Sequence, residues 1–312
     1  MQTLVAAAGI LALAPLAEAA EEASKPAVTA IQHAPNGTTL TLRAKHAPYP
    51  HAGGAYDDPT VFVFVPASYR LPSSKRVDVV VHYHGHNTTA AKALGTHALR
   101  EQLVESKQNA ILVVPQGPVL AADGDFGKLM AKRGVARLLA EVLKLAAGAK
   151  ASKELGDATL AKADGVGRVI ASAHSGGYRA AAAAVQRGGV DLREVYLFDA
   201  LYGEVATFAD FASAGSDVKH KLVSYAVAGV PLANGAKLAS ILEARGLEPI
   251  VEKADRRVSR EELVRGRALF LLGKATHATA TYEERALRDC MLASCFVGSG
   301  TKAWHAKKHE RR

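Results

Sequence analysis

The pentapeptide Ala173-His174-Ser175-Gly176-Gly177 is the part of this sequence best suited to chemistry. It joins an apolar, β-branched run at 167–171 to an Ala-rich helical stretch at 178–187. Small residues two before and two after Ser175 suit a sharp strand-to-helix turn, because larger side chains there would collide across the bend. Gly176 adds backbone freedom beside the strained position. The helix that follows aims its amide-rich start at the serine and favours negative charge near it. The segment fits the nucleophile pattern G-x-S-x-G with Ala in place of the first Gly. A serine flanked by glycines is also an ordinary helix cap, and the pentapeptide alone leaves both readings standing.

Other reactive side chains lie far from it in the chain. His82, His84 and His86 alternate along and just past an apolar run at 77–83. On a continuing strand they would share a face and could hold a zinc ion. Same-face neighbours sit about 7 Å apart, wide for one ion. Gly85 can instead break the strand, scatter the three and leave His84 as a buried loop anchor. Asp199 closes the apolar run 194–198, where a carboxylate can orient a histidine and balance its charge, or merely cap the turn at 201–203. His277 follows the run 268–272 after a short loop. The neighbouring His174 is expected to pack beside the serine turn.

Positioning these groups requires a sheet. Continuous apolar runs at 60–65, 77–83, 110–114, 167–171, 194–198, 222–227 and 268–272 read as strands. Helical stretches at 90–106, 135–147, 178–187, 237–245 and 260–265 lie between them. Strands apolar on both faces need cover on both faces, so the spacing predicts an α/β protein with a doubly wound, mostly parallel sheet. Shorter β-like pieces at 27–30 and 38–43 form a small N-terminal β extension, and 148–165 reads as a surface loop or short helix. Reactive groups of such a sheet collect at the carboxyl ends of its strands, which is where Ser175, Asp199 and His277 fall.

On these motifs the chain resembles the α/β-hydrolase superfamily over roughly residues 60–294. The resemblance implies Ser175 as nucleophile, His277 as general base and Asp199 as the acid that orients it, matching the family's order of nucleophile, acid and histidine. Most members carry the acid one strand later. Here no acid follows 222–227 until Glu243, which leaves Asp199, with Asp210 and Asp217 as outside candidates. His84-Gly85 resembles the His-Gly motif that shapes an oxyanion hole. The amides of Gly176 and His86 are then the expected donors, although the family commonly has more glycine where this chain has His86-Asn87. His84, Gly85, Tyr202 and Phe126 are expected to contact substrate. The resemblance implies a serine hydrolase acting on an ester or amide, with no cofactor or metal needed. A non-catalytic binding protein on the same fold, or a metal-binding protein using the histidine cluster, would be the other readings.

The rest of the sequence bounds the setting. Residues 3–16 are a nearly uncharged apolar run of about 14 residues, short of the roughly 20 that span a membrane. Ala17-Glu18-Ala19 has the form of a secretory cleavage site, so residues 1–19 read as a signal peptide and the protein as exported, periplasmic or secreted. The bland alternative is an Ala-rich helix. Expected boundaries are 20–59 for the extension, 60–300 for the hydrolase-like domain and 301–312 for a basic tail. The net charge is +9; the last eleven residues hold five cations and one acid, a net +4. Without an aromatic-lined basic groove this does not point to nucleic acid, but it suits an anionic cell wall or membrane surface. The two cysteines, Cys290 and Cys295, can pair only if the helix around them ends near residue 294. The segments 116–128 and 201–217, with Asp123, Asp125, Phe208 and Phe211, are expected to overhang the serine. No apolar lid helix is evident, which favours a small or a polymeric polar substrate.

Overall fold

The computed structural model describes residues 25–296, apart from 52, 123 and 216–219. Ten strands form one sheet: β1 (Ala27–Ala34), β2 (Gly37–Arg43), β3 (Thr60–Pro66), β4 (Arg76–Tyr83), β5 (Ile111–Pro115), β6 (Gly165–His174), β7 (Asp191–Phe198), β8 (Lys221–Ala226), β9 (Ile250–Val251) and β10 (Ala268–Leu272). Their order across the sheet is β1-β2-β3-β5-β4-β6-β7-β8-β10-β9. The pairs β1–β2, β2–β3 and β3–β5 are antiparallel, and every pairing from β5 through β9 is parallel. The N-terminal strands β1 and β2 thus continue the main sheet as its edge.

Alternate strand residues feed two cores. Val79, Val81, Ile111, Val113, Val195 and Leu197 pack on one face beneath α3 (Gly134–Ala146), α5 (Tyr178–Arg187), α6 (Val205–Ser213) and α7 (Gly229–Ala244). Val80, Leu112, Val114, Tyr196 and Phe198 pack on the other beneath α1 (Ala90–Thr96), α2 (Leu99–Ser106), α8 (Arg260–Arg265) and α9 (Ala286–Leu292). Each face is covered, as the apolar runs require. The expected helix 90–106 is broken in two at Ala98, which takes φ +47°. The expected helix 237–245 begins earlier, at Gly229. Its Pro231 sits in the first turn, where amides have no intrahelical partner to lose. The 148–165 insert opens with α4 (Ala149–Leu155).

Chain order creates the crevice. From β4 the chain moves outward to β5, then crosses back to β6 on β4's other side, so the winding reverses between β4 and β6. The register aligns the strand ends there: Tyr83 pairs with Ala173, His174 with Phe198, Phe198 with Tyr225, and Leu272 with Ala226. Residues just past these pairs emerge along one rim. The leader and basic tail lie outside the described residues, and among the described ones no helix is long and apolar enough to cross a membrane. Cys290 is buried in α9, Cys295 is half-buried beyond its end, and the two are not bonded.

Candidate active site

Ser175 sits on the first residue past β6, before α5, with φ +52°. A side-chain-bearing residue in this left-handed region costs about 1–2 kcal/mol. The bend survives because its neighbours are small. A methyl group on Gly177 would lie 2.4 Å from the Tyr83 carbonyl, and one on Gly176 would lie 2.7 Å from that of Ala122. From the sequence alone, backbone freedom is expected at Gly176. In the structure the positive φ falls on Ser175 itself, and Gly176 is small because the 117–125 segment passes over it.

His277 comes from the β10 rim, at the start of a 3-10 turn whose first residues are tied by the Thr276 amide donating to Thr279 Oγ1 at 2.9 Å. Its Nε2 lies 3.0 Å from Ser175 Oγ and its Nδ1 lies 2.6 Å from Asp199 Oδ2. A carboxylate only accepts, so Nδ1 carries the proton and Nε2 is left to accept from the serine hydroxyl. Asp199 is buried, with φ +45°, and its other oxygen accepts the Val227 amide at 2.9 Å. That amide belongs to the loop after β8, so the strand that lacks an acid orients the one borne by β7. Of the outside candidates, Asp210 is ion-paired with Arg245 at 2.9 Å, and Asp217 lies outside the described residues.

A left-handed serine between β6 and α5, at the reversal point of a mostly parallel sheet, with a histidine from the last long strand on its hydroxyl, decides the architecture. The chain has the α/β-hydrolase fold. No family profile and no curated protein sequence matches it. Among solved structures it is similar to a feruloyl esterase module from Clostridium thermocellum, at 12% identity and TM-score 0.47 over 93% of this chain and 98% of that one. A ferulic acid esterase aligns at 14% and 0.49 over 82% and 97%. A siderophore hydrolase from Aspergillus nidulans aligns at 12% and 0.43 over 90% and 99%.

Other expected site residues divide. Gly85 packs directly against the serine: a methyl group on it would lie 2.7 Å from Ser175 Cβ. His86 follows, exposed, and its amide has no hydrogen-bond partner among the described residues. Tyr202 is 40% exposed with its ring 6.2 Å from that of His277. Burial and then Asp199 push its phenol above the ordinary value, which keeps it protonated. His84 and Phe126, both expected to contact substrate, are buried, and for His84 this is the loop-anchor placement that a break at Gly85 predicts. His84 is 1% exposed, donating from Nδ1 to the Gly85 carbonyl at 2.9 Å and accepting the Gly117 amide on Nε2 at 2.8 Å. Its role is to bolt the 84–87 turn to the 117–125 segment. Phe126 is fully buried against Tyr83 and His84, filling the space left by Gly117. Phe208 and Phe211 likewise point into the core from α6.

The alternating histidines separate. His82 bonds Ser172 Oγ at 2.9 Å, His84 holds the loop and His86 is exposed, so their ring nitrogens do not converge. His82 instead meets His97, which the sequence reading did not single out, and His97 meets His174. Also missed was the bracing of the 117–125 segment: Tyr49 OH donates to the Asp125 carbonyl, and Tyr56 OH accepts the Leu120 amide at 3.1 Å. The Pro-, Gly- and His-rich run 46–58 reads from the sequence as a loop and a further wall of the site, but its composition does not assign Tyr49 and Tyr56 to this bracing. Asp125 caps its own loop through the Gly127 amide, at 2.9 Å, while Asp123 lies outside the described residues.

Proposed function

We propose that the protein is an exported serine hydrolase that cleaves an ester bond through an acyl-enzyme. The observation that carries the reading is the series Asp199–His277–Ser175, with contacts of 2.6 and 3.0 Å. As Ser175 Oγ attacks the carbonyl carbon, its proton passes to His277 Nε2, and Asp199 stabilises the resulting imidazolium. The carbonyl oxygen gains charge and is received by the amides of Gly176 and His86. His277 then returns its proton to the leaving oxygen, and water, activated by the same imidazole, releases the acid. An alkoxide leaves with less assistance than an amine, which favours esters over amides as substrates. Tyr202 and the exposed Leu120 on the bracing loop are available to the substrate's outer groups. The apolar leader supports export, and the basic tail suits contact with an anionic wall or membrane surface.

Turnover of short-chain p-nitrophenyl esters tests this. The purified protein is expected to hydrolyse p-nitrophenyl acetate, and Ser175→Ala to lower kcat by on the order of a millionfold. Turnover that survives the substitution would overturn the reading.

A further inference from the structure

His174, the residue before the serine, is 7% exposed, and its Nε2 lies 2.7 Å from the backbone carbonyl of His277. The carbonyl only accepts, so His174 donates from Nε2 and is the neutral Nε2–H tautomer. The two rings lie 5.0 Å apart at 37°. A short closed circuit results. Residues 174 and 175 are joined covalently, His174 Nε2–H holds the carbonyl of His277, and His277 Nε2 returns to Ser175 Oγ at 3.0 Å. Fixing a residue's carbonyl limits rotation about its Cα and therefore the direction of its side chain.

The remaining anchors of the histidine loop lie at its flanks or hold it to itself. Gly273 donates to the Ala226 carbonyl at 2.8 Å, Lys274 to Glu284 at 3.1 Å, and Thr276 to Thr279. The contact from His174 ties the backbone of the base itself to the strand that carries the serine. Behind His174 stand further neutral rings, with His97 edge-on at 4.8 Å and His82 edge-on to His97 at 5.8 Å. His82 Nε2, His97 Nδ1 and His174 Nδ1 are buried without hydrogen-bond partners among the described residues. Burial, more than any neighbouring charge, holds His174 down to about 4, so it does not oppose positive charge arising on His277.

We infer that His174 is a positioning residue for the hydrolysis proposed above, holding His277 at bonding distance from Ser175 through the His277 carbonyl. The inference rests on that functional reading, and its test separates the two. His174→Leu removes the donor, whereas His174→Gln returns an N–H at similar reach. With p-nitrophenyl acetate, the Leu variant is expected to lose ~10- to 100-fold in kcat with KM changed less than about twofold, the loss of orientation alone. The Gln variant should recover to within about fivefold of the parent. Crystal structures of both supply a readout independent of activity. The Ser175–His277 contact should persist in the Gln variant and open beyond hydrogen-bonding reach in the Leu variant. A Leu variant with parental kcat, or an unchanged contact in its structure, overturns the inference. Should the Leu variant fail to fold, a folded Gln variant that has lost the contact overturns it, and one that keeps both contact and kcat supports it. A parent protein inert toward esters would sink the hydrolase reading, and the two crystal structures would still decide whether His174 sets the contact.

Discussion

Ser175 rests against the α-carbon of Gly85, with no space between them for a methyl group: one built there would lie 2.7 Å from Ser175 Cβ and 3.1 Å from the His174 carbonyl. The turn after β4 and the turn after β6 are therefore fitted to each other, and the place where the winding reverses is also where the hydroxyl is held.

Gly85→Ala is thus expected to displace the serine. Both obstructing atoms are close to backbone and have little freedom to retreat. A shift of about 1 Å at a reacting group costs on the order of 100-fold, so kcat/KM for p-nitrophenyl acetate should fall by roughly that factor. Steady-state kinetics beside a thermal melt checks it, and parental activity in a folded variant would show that the contact relaxes freely.

Gly124 makes the corresponding fit from the bracing segment. It has φ +59°, and a methyl group on it would lie 1.8 Å from the Gly176 carbonyl. Gly124→Ala should drive the 117–125 segment off the serine turn, lowering kcat by about tenfold or more through lost orientation. A fold-level loss is not expected, because the segment lies at the rim. Circular dichroism and kinetics on the same preparation separate the two effects.

Asp199→Asn keeps the size of the side chain but can offer an N–H where His277 Nδ1–H needs an acceptor. The imidazole would then turn the wrong tautomer toward Ser175. A loss of about 10,000-fold in kcat at neutral pH is expected, smaller than that of Ser175→Ala. Full activity in this variant would move the acid elsewhere, although the described alternative, Asp210, is engaged with Arg245.

Acid should destabilise the protein earlier than its carboxylates alone would. Burial is the largest cause at each of four histidines, holding His97 down to about 3, His84 and His174 to about 4, and His82 well below the ordinary 6.5. The unfolded chain protonates the same four near 6.5. As pH falls from there toward 4 the unfolded state binds more protons than the native state, and stability drops, by up to about 1.4 kcal/mol per pH unit for each histidine. Glu262, held below its ordinary 4.5 by the Ser259 amide, loses its contribution only at lower pH. Thermal melts between pH 7 and pH 5 should show a falling Tm, and His97→Phe should flatten the slope. A Tm constant across that window would contradict the neutral histidine cluster.

The core strands and the serine turn were legible because burial on two faces writes itself as unbroken apolar runs, and a sharp bend writes itself as small residues. Helices 178–187 and 260–265 fall where the sequence put them. Helix α7 was half missed: Gly229, Pro231 and Asn234 look like a loop, yet the first turn of a helix tolerates proline. The break at Ala98 left no trace, since alanine has no preference for the left-handed conformation it takes there. Tertiary partners were the least readable. His84 reads from the sequence both as a loop anchor and as a contact for substrate, and it is the anchor, a bolt between two loops; His174 looked like packing and holds the carbonyl of His277. A histidine's role depends on which groups its two nitrogens meet, and those come from segments remote in the chain.

Covalent labelling is the most direct test that Ser175, His277 and Asp199 act as one unit. Treating the folded protein with a fluorophosphonate and locating the adduct by peptide mass spectrometry is expected to give a single modified site at Ser175. That labelling should be abolished by Ser175→Ala and strongly slowed by His277→Ala. An unlabelled parent protein, or an adduct on Ser175 formed equally fast without the imidazole, would contradict it.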